Sequence, residues 1–131
     1  MSPDIAVTVP ARPEFVHVLR AVVASVAARL DFPYDAIQEL RIAVDEACSQ
    51  LLSTGGADAS TLRIRITPST DGVELVASSD ASRVPWPPAN AERSLAWQVI
   101  EALADRATFE QQDGEPALRI AKMVRPPRGA A

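Results

Sequence analysis

Lysine, histidine and cysteine each occur once in this chain, as Lys122, His17 and Cys48. One cysteine excludes an internal disulfide framework and a cysteine zinc cluster. The one histidine falls off the main apolar stripe of its helix. No second ligand is spaced for a metal beside it, which argues against a metal or catalytic role. With one lysine among 13 basic residues, positive charge is carried almost wholly by arginine. A guanidinium suits bidentate contacts with carboxylates. No apolar run approaches the roughly 18 residues needed to span a bilayer. The opening "MSPDIAVTVP" lacks the basic start and continuous apolar middle of a secretory signal. The expected location is the cytoplasm, with no membrane partner. Net charge is −4 and the basic residues are scattered. That argues against a nucleic-acid backbone as the main partner.

What is present fits a globular domain. The 131 residues suit one domain (1–131) with a single core, and 47% of them are hydrophobic. There is no internal repeat. "DIAVTVP" (4–10) alternates as a short strand does, and Pro10 ends it. From 13 to 30, Phe15, Leu19, Val22, Val23, Val26 and Leu30 recur at helical spacing. "DFP" (31–33) breaks that helix, because a residue before proline is pushed out of helical geometry. A second helix follows from 34 or 35, with Ile37, Leu40, Val44, Ala47, Cys48 and Leu51 as its apolar stripe.

"STGGADAS" (53–60) is a loop. "LRIRIT" (62–67) alternates cleanly, with Arg63 and Arg65 on the solvent side. "STDG" (69–72) is a hairpin turn, and "VELVAS" (73–78) is the return strand. After a proline-rich loop (79–92) a third helix is expected, with Leu95, Val99, Ala102 and Leu103 inside. "TFEQQ" (108–112), "DGE" (113–115) and "ALRIAKMV" (117–124) form a second hairpin, and "RPPRGAA" (125–131) is a flexible tail. The order is βααββαββ. The apolar face of the hairpins needs a cover, and three amphipathic helices supply it as a two-layer α/β sandwich.

The residues carry more than the order of elements. "VPARPEFVHVLRAVVASVAARL" (9–30), followed by "YDAIQELRIAVDEACSQLL" (34–52) and "SLAWQVIEALAD" (94–105), resembles RsbW-like anti-sigma factors. These are serine kinases of the GHKL ATPase superfamily. The resemblance implies a Bergerat-type fold, with a mixed, mostly antiparallel sheet covered on one face by helices. It also implies a homodimer. The expected function is to sequester a stress- or sporulation-type sigma factor until a STAS-domain anti-anti-sigma factor displaces it.

Four features make the family's ATP site, and each departs here. In the helix motif Glu-x-x-x-Asn, Glu46 matches the general base. Gln50 stands where the asparagine ligand of Mg²⁺ belongs, with its amide one methylene further out. In the strand-end Asp-x-Gly-x-Gly, Ser79 takes the adenine-binding aspartate position and Ala81 the first glycine. Asp80 is one residue off and so faces the other way. At the third helix, Ser94 and Ala96 replace the glycines of Gly-x-Gly-Leu, and Trp97 adds bulk near the phosphates. The lid is reduced to "RVPWPPANAE" (83–92), stiffened by three prolines. The departures weaken separate contacts to one ligand, so the expectation is weak or absent ATP binding.

An active kinase using ATP and Mg²⁺, with Glu46 as base, stands as the alternative. A partner-switching module whose partners are not sigma factors is a second one. The resemblance assigns Arg20 to the surface contacting both partners, and Arg12 extends that patch. Trp86 is a plug over the sheet end or an exposed anchor for a partner. The pair expected for Asp45 is Arg41, one helical turn earlier. Cys48 lies on the apolar stripe and reads as a small buried hydrophobe.

Overall fold

The computed structural model describes residues 4–54, 59–81 and 85–124. The expected tail (125–131) and part of the two loops at 55–58 and 82–84 lie outside them. Eight elements follow in the expected order. They are β1 (Ile5–Pro10), α1 (Val16–Arg29), α2 (Tyr34–Thr54), β2 (Thr61–Pro68), β3 (Gly72–Ser79), α3 (Leu95–Leu103), β4 (Arg106–Gln112) and β5 (Glu115–Met123). Short 3-10 turns precede α1 (Pro13–Phe15) and α3 (Ala91–Arg93). The first of these takes up the residues expected to begin the first helix.

The strands form one sheet in the order β1-β2-β3-β5-β4. All four pairings are antiparallel, which corrects the expected mixed sheet. The crossover through α3 explains why. It carries the chain past one strand position to the edge, and β5 then folds back into the gap. β3 and β4 run the same way, but β5 lies between them, so no parallel ladder forms.

One face of this sheet is the core. Leu62, Ile64 and Ile66 alternate inward on β2, and Leu75, Leu118 and Ile120 do so on β3 and β5; all are buried. Against them pack Leu19, Val23 and Ala27 of α1. Leu40, Val44, Ala47, Cys48 and Leu51 of α2 complete the cover. The α2 stripe is the one that helical spacing predicts. Of the stripe expected for α1, Leu19 and Val23 are buried, Phe15, Val22, Val26 and Leu30 are half-buried, and Ala27 takes a core place outside it. The opposite face is polar: Arg63 and Arg65 are exposed, and Arg119 donates to Glu110 (2.6 Å) and also bonds Glu74. This network pulls the Glu110 carboxyl below its ordinary range, with the Arg119 hydrogen bond as the main cause.

α3 differs from expectation. Leu95 is 76% exposed and Ala102 is exposed, while Val99 and Leu103 are half-buried. Trp97 and Ile100 are the buried residues. A nine-residue helix has room for few deep side chains, and the largest one decides which way it faces. The Trp97 ring stacks on Phe109 of β4, with centroids 4.2 Å apart. Trp97 is therefore core, not an obstacle above a phosphate site.

The lone lysine ties three elements together. By strand alternation Lys122 follows Leu118 and Ile120 onto the helix side of β5. Its ammonium donates to the Leu103 carbonyl at the end of α3 (2.6 Å) and pairs with Glu39 of α2 at 3.3 Å. A cation at a helix C-terminus also meets the negative end of the helix dipole.

Candidate functional site

α2 packs against both β3 and α3, so the elements carrying the expected nucleotide positions do meet. What the side chains do there is a different matter. Glu46 is half-buried, and Gln50, one turn on, is only 8% exposed. Four residues apart on a helix, they share a face.

At the end of β3, Ser79 is 2% exposed, and its hydroxyl accepts a long hydrogen bond from the Ala81 N–H (3.4 Å). Ala81 is fully buried. Asp80 is turned toward the start of β2. Its carboxylate accepts from the Ser60 N–H (2.7 Å), the Thr61 N–H (3.0 Å) and the Ser60 hydroxyl. It clamps the loop that enters β2, with both carboxylate oxygens engaged there.

At the start of α3 the Ser94 hydroxyl accepts from the Trp97 N–H (3.1 Å) and donates to the Ala91 carbonyl (2.7 Å). This is an N-cap, the commonest way to satisfy a helix's first free N–H groups. Where glycines would leave such N–H groups open to a phosphate, the chain bonds one to itself. Ala96 is half-buried beside it.

Trp86 is 8% exposed, so it is the plug and not an exposed anchor. Its indole N–H donates to the Ala117 carbonyl (3.2 Å), and its ring meets Phe109 edge-on, with centroids 5.5 Å apart. Of the lid stretch (83–92), residues 83 and 84 lie outside the described residues.

Arg20 of α1 is half-buried. Its guanidinium donates to Asp45 Oδ2 of α2 at 2.7 Å and also touches His17 Nδ1. Asp45 thus pairs across two helices, not with Arg41 as local spacing suggested. Arg12 is exposed and lines a neighbouring hollow with Phe15 and Ser60. Cys48 is fully buried, and burial followed by the nearby Asp45 charge pushes its thiol up to about 12. It is the inert hydrophobe expected.

Three features escaped sequence reasoning. The Ser60–Asp80 clamp and the Arg20–Asp45 pair join residues far apart in sequence, and nothing local marks them. The Ser94 cap did carry a signal, a serine just before an apolar helical run.

The Asp80 clamp makes a pH prediction. Burial works to raise its pKa, but the hydrogen bonds from Ser60 and Thr61 outweigh burial and lower it from 3.8 to about 2. A carboxyl with a depressed folded pKa stabilises the fold above its unfolded value and loses that contribution as pH falls through the folded one. Asp80→Asn should therefore be less stable than the parent at pH 7. The gap between the two thermal midpoints should close between about pH 4 and pH 2. A gap constant over that range would remove the clamp from the account.

A helix-covered antiparallel sheet, with a glutamate on the helix that backs it, is the architecture of a known class of ATPase domains. The chain belongs to the family of histidine kinase-like ATPase domains, whose model matches residues 9–122. Within that family it is RsbW-like. It is 37% identical over 103 residues to the anti-sigma-F factor RsbW of Mycobacterium tuberculosis, covering 77% of this chain and 58% of that protein. It thus spans somewhat over half the length of that relative. It is 29% identical over 125 residues to the serine-protein kinase RsbW of Halalkalibacterium halodurans, covering 84% of this chain and 77% of that one. A crystal structure of RsbU and RsbW domains from Mycobacterium tuberculosis superposes with a TM-score of 0.70. It is 17% identical and covers 93% of this chain and 32% of that one, a likeness of fold.

Proposed function

We propose that this chain is a cytoplasmic anti-sigma factor that acts by stoichiometric binding. It sequesters an alternative sigma factor of the stress or sporulation type, and a STAS-domain anti-anti-sigma factor displaces it. α1 with Arg20, together with Arg12 ahead of it, forms the shared surface, and the unit is a homodimer. The similarity to RsbW proteins supports the partner class. Among the described residues no helix is long and apolar enough to cross a membrane.

The Ser94 cap carries the case for binding without catalysis. The residues at the nucleotide positions do not fit ATP: an N–H at the start of α3 is taken by Ser94, and the Asp80 carboxylate is taken by the start of β2. Each lost hydrogen bond to a charged group costs about 1.5–3 kcal/mol. Several together cost several powers of ten in affinity.

The test joins two measurements on one sample. Co-purification from the native cell should recover a sigma factor. Calorimetry on the same material should give no low-micromolar binding of Mg-ATP. Tight Mg-ATP binding, with phosphate transfer to a STAS protein that Glu46→Ala abolishes, would establish the active kinase instead. It is the retained Glu46 that keeps this second reading open. Recovery of a different regulator and no sigma factor would point to a module with other partners.

A further inference from the structure

A cavity of about 440 Å³ lies between α1 and α2. α1 contributes Val16, His17 and Arg20, and α2 contributes Asp45, Ser49 and Leu52. On α2, Asp45 and Ser49 precede Glu46 and Gln50 by one residue, a turn of about 100° around the axis. The cavity is therefore on another side of α2 from the nucleotide positions. Apolar side chains and a paired arginine share its wall.

Arg20 is not free in this cavity. Asp45 holds one terminal nitrogen at 2.7 Å, and His17 touches the other. The Arg20 side chain is 21% exposed and that of Asp45 is 36% exposed. A carboxylate arriving from solvent meets the more exposed acid beside the arginine it seeks. Two acids compete for one guanidinium, and they also repel each other.

We propose that Asp45 is a built-in competitor, which occupies Arg20 in the free chain and must yield before an acidic group of a protein partner gains it. This rests on the reading that Arg20 faces a partner. Partly exposed ion pairs are weak, so the exchange is cheap enough to occur. It still sets a threshold. A partner that brings no carboxylate to Arg20 finds it already satisfied, and specificity comes from that refusal as much as from attraction.

Two measurements test the proposal. The first needs no partner. Phenylglyoxal modification, read by peptide mass spectrometry, should be about threefold faster at Arg20 in Asp45→Asn, while Arg41 is unchanged. The second titrates each variant with the sigma factor that co-purifies with the chain. Asp45→Asn should bind it about two- to tenfold more tightly. Glu101→Gln, an exposed charge on α3, should shift affinity less than twofold and so controls for net charge. Arg20→Gln should weaken binding, and adding Asp45→Asn to it should then change little. Equal Arg20 reactivity, or unchanged or weaker binding by Asp45→Asn, overturns the competitor. Undiminished binding by Arg20→Gln overturns both the competitor and the assignment of Arg20 to the partner surface.

Discussion

Replacing Trp97 by alanine is expected to destabilise the chain by about 3–5 kcal/mol, the range for a buried tryptophan cut to a methyl. The ring is 5% exposed and stacked on Phe109, whose own edge contact is Trp86. Removing it opens a cavity where α3 meets β4. A domain of this size has about 5–15 kcal/mol of stability in all, so the loss is a large share. Trp86 is the only other tryptophan, and its fluorescence would report the unfolding of the variant. Urea titration should show a much lower midpoint. Trp97→Phe should recover much of the loss, because an aromatic ring at this place can still stack. A Trp97→Ala chain as stable as the parent would mean that the ring is not packed as described. It would also reopen the start of α3 to a reading as a ligand site.

The second large effect is expected at Gly72. This residue was read as part of a turn, but it begins β3 and pairs with Met123 of β5. A Cβ placed on it would sit 2.3 Å from the Lys122 carbonyl oxygen and 2.8 Å from the Met123 Cα. Both are backbone atoms of the neighbouring strand, so no side chain can swing aside. Overpacking in a well-packed region costs about 1–3 kcal/mol, and a clash of backbone with backbone belongs at the top of that range or beyond. Alanine gains up to about 1 kcal/mol by restricting the unfolded chain. The clash outweighs that gain, so Gly72→Ala should lower the urea midpoint by an amount equal to about 2 kcal/mol or more. A neutral or stabilising result would show that β5 can move away from β3 at little cost.

How far the sequence carried this reading depended on the range of the interaction. The stripe of α2 and the alternation of β2 are local patterns of apolar residues, and Leu40, Val44, Leu51, Ile64 and Ile66 lie where those patterns place them. α3 failed because nine residues give too few turns for periodicity to outvote one large ring. The mixed sheet was what the family resemblance implied; strand direction here is set by which strand fills the gap after the crossover, and residue spacing does not carry that. The nucleotide positions were legible only as substitutions. Ser79, Ala81 and Ser94 could be seen to depart from a pattern, and the cap signal of Ser94, a serine just before an apolar helical run, was passed over in favour of the glycine it replaces. Asp80 was set aside for facing the wrong way, and the structure gives it a partner there in Ser60. Arg20 and Asp45 lie 25 residues apart in sequence. Their pairing depends on how two helices cross, whereas the pair with Arg41 was the only one that local geometry offered.

The engagement of Lys122 reaches into how partners of this chain can be trapped. It carries the only ε-amine in the sequence. Its side chain is 12% exposed, with the nitrogen shared between a carbonyl and a carboxylate. Acylating reagents and amine-directed cross-linkers therefore have one lysine to attack, and it is shielded and already bonded. Forcing that reaction would break its bonds to Glu39 of α2 and to the end of α3. Covalent mapping of a complex is better aimed at carboxylates, at arginines, or at a lysine placed on the surface for that purpose.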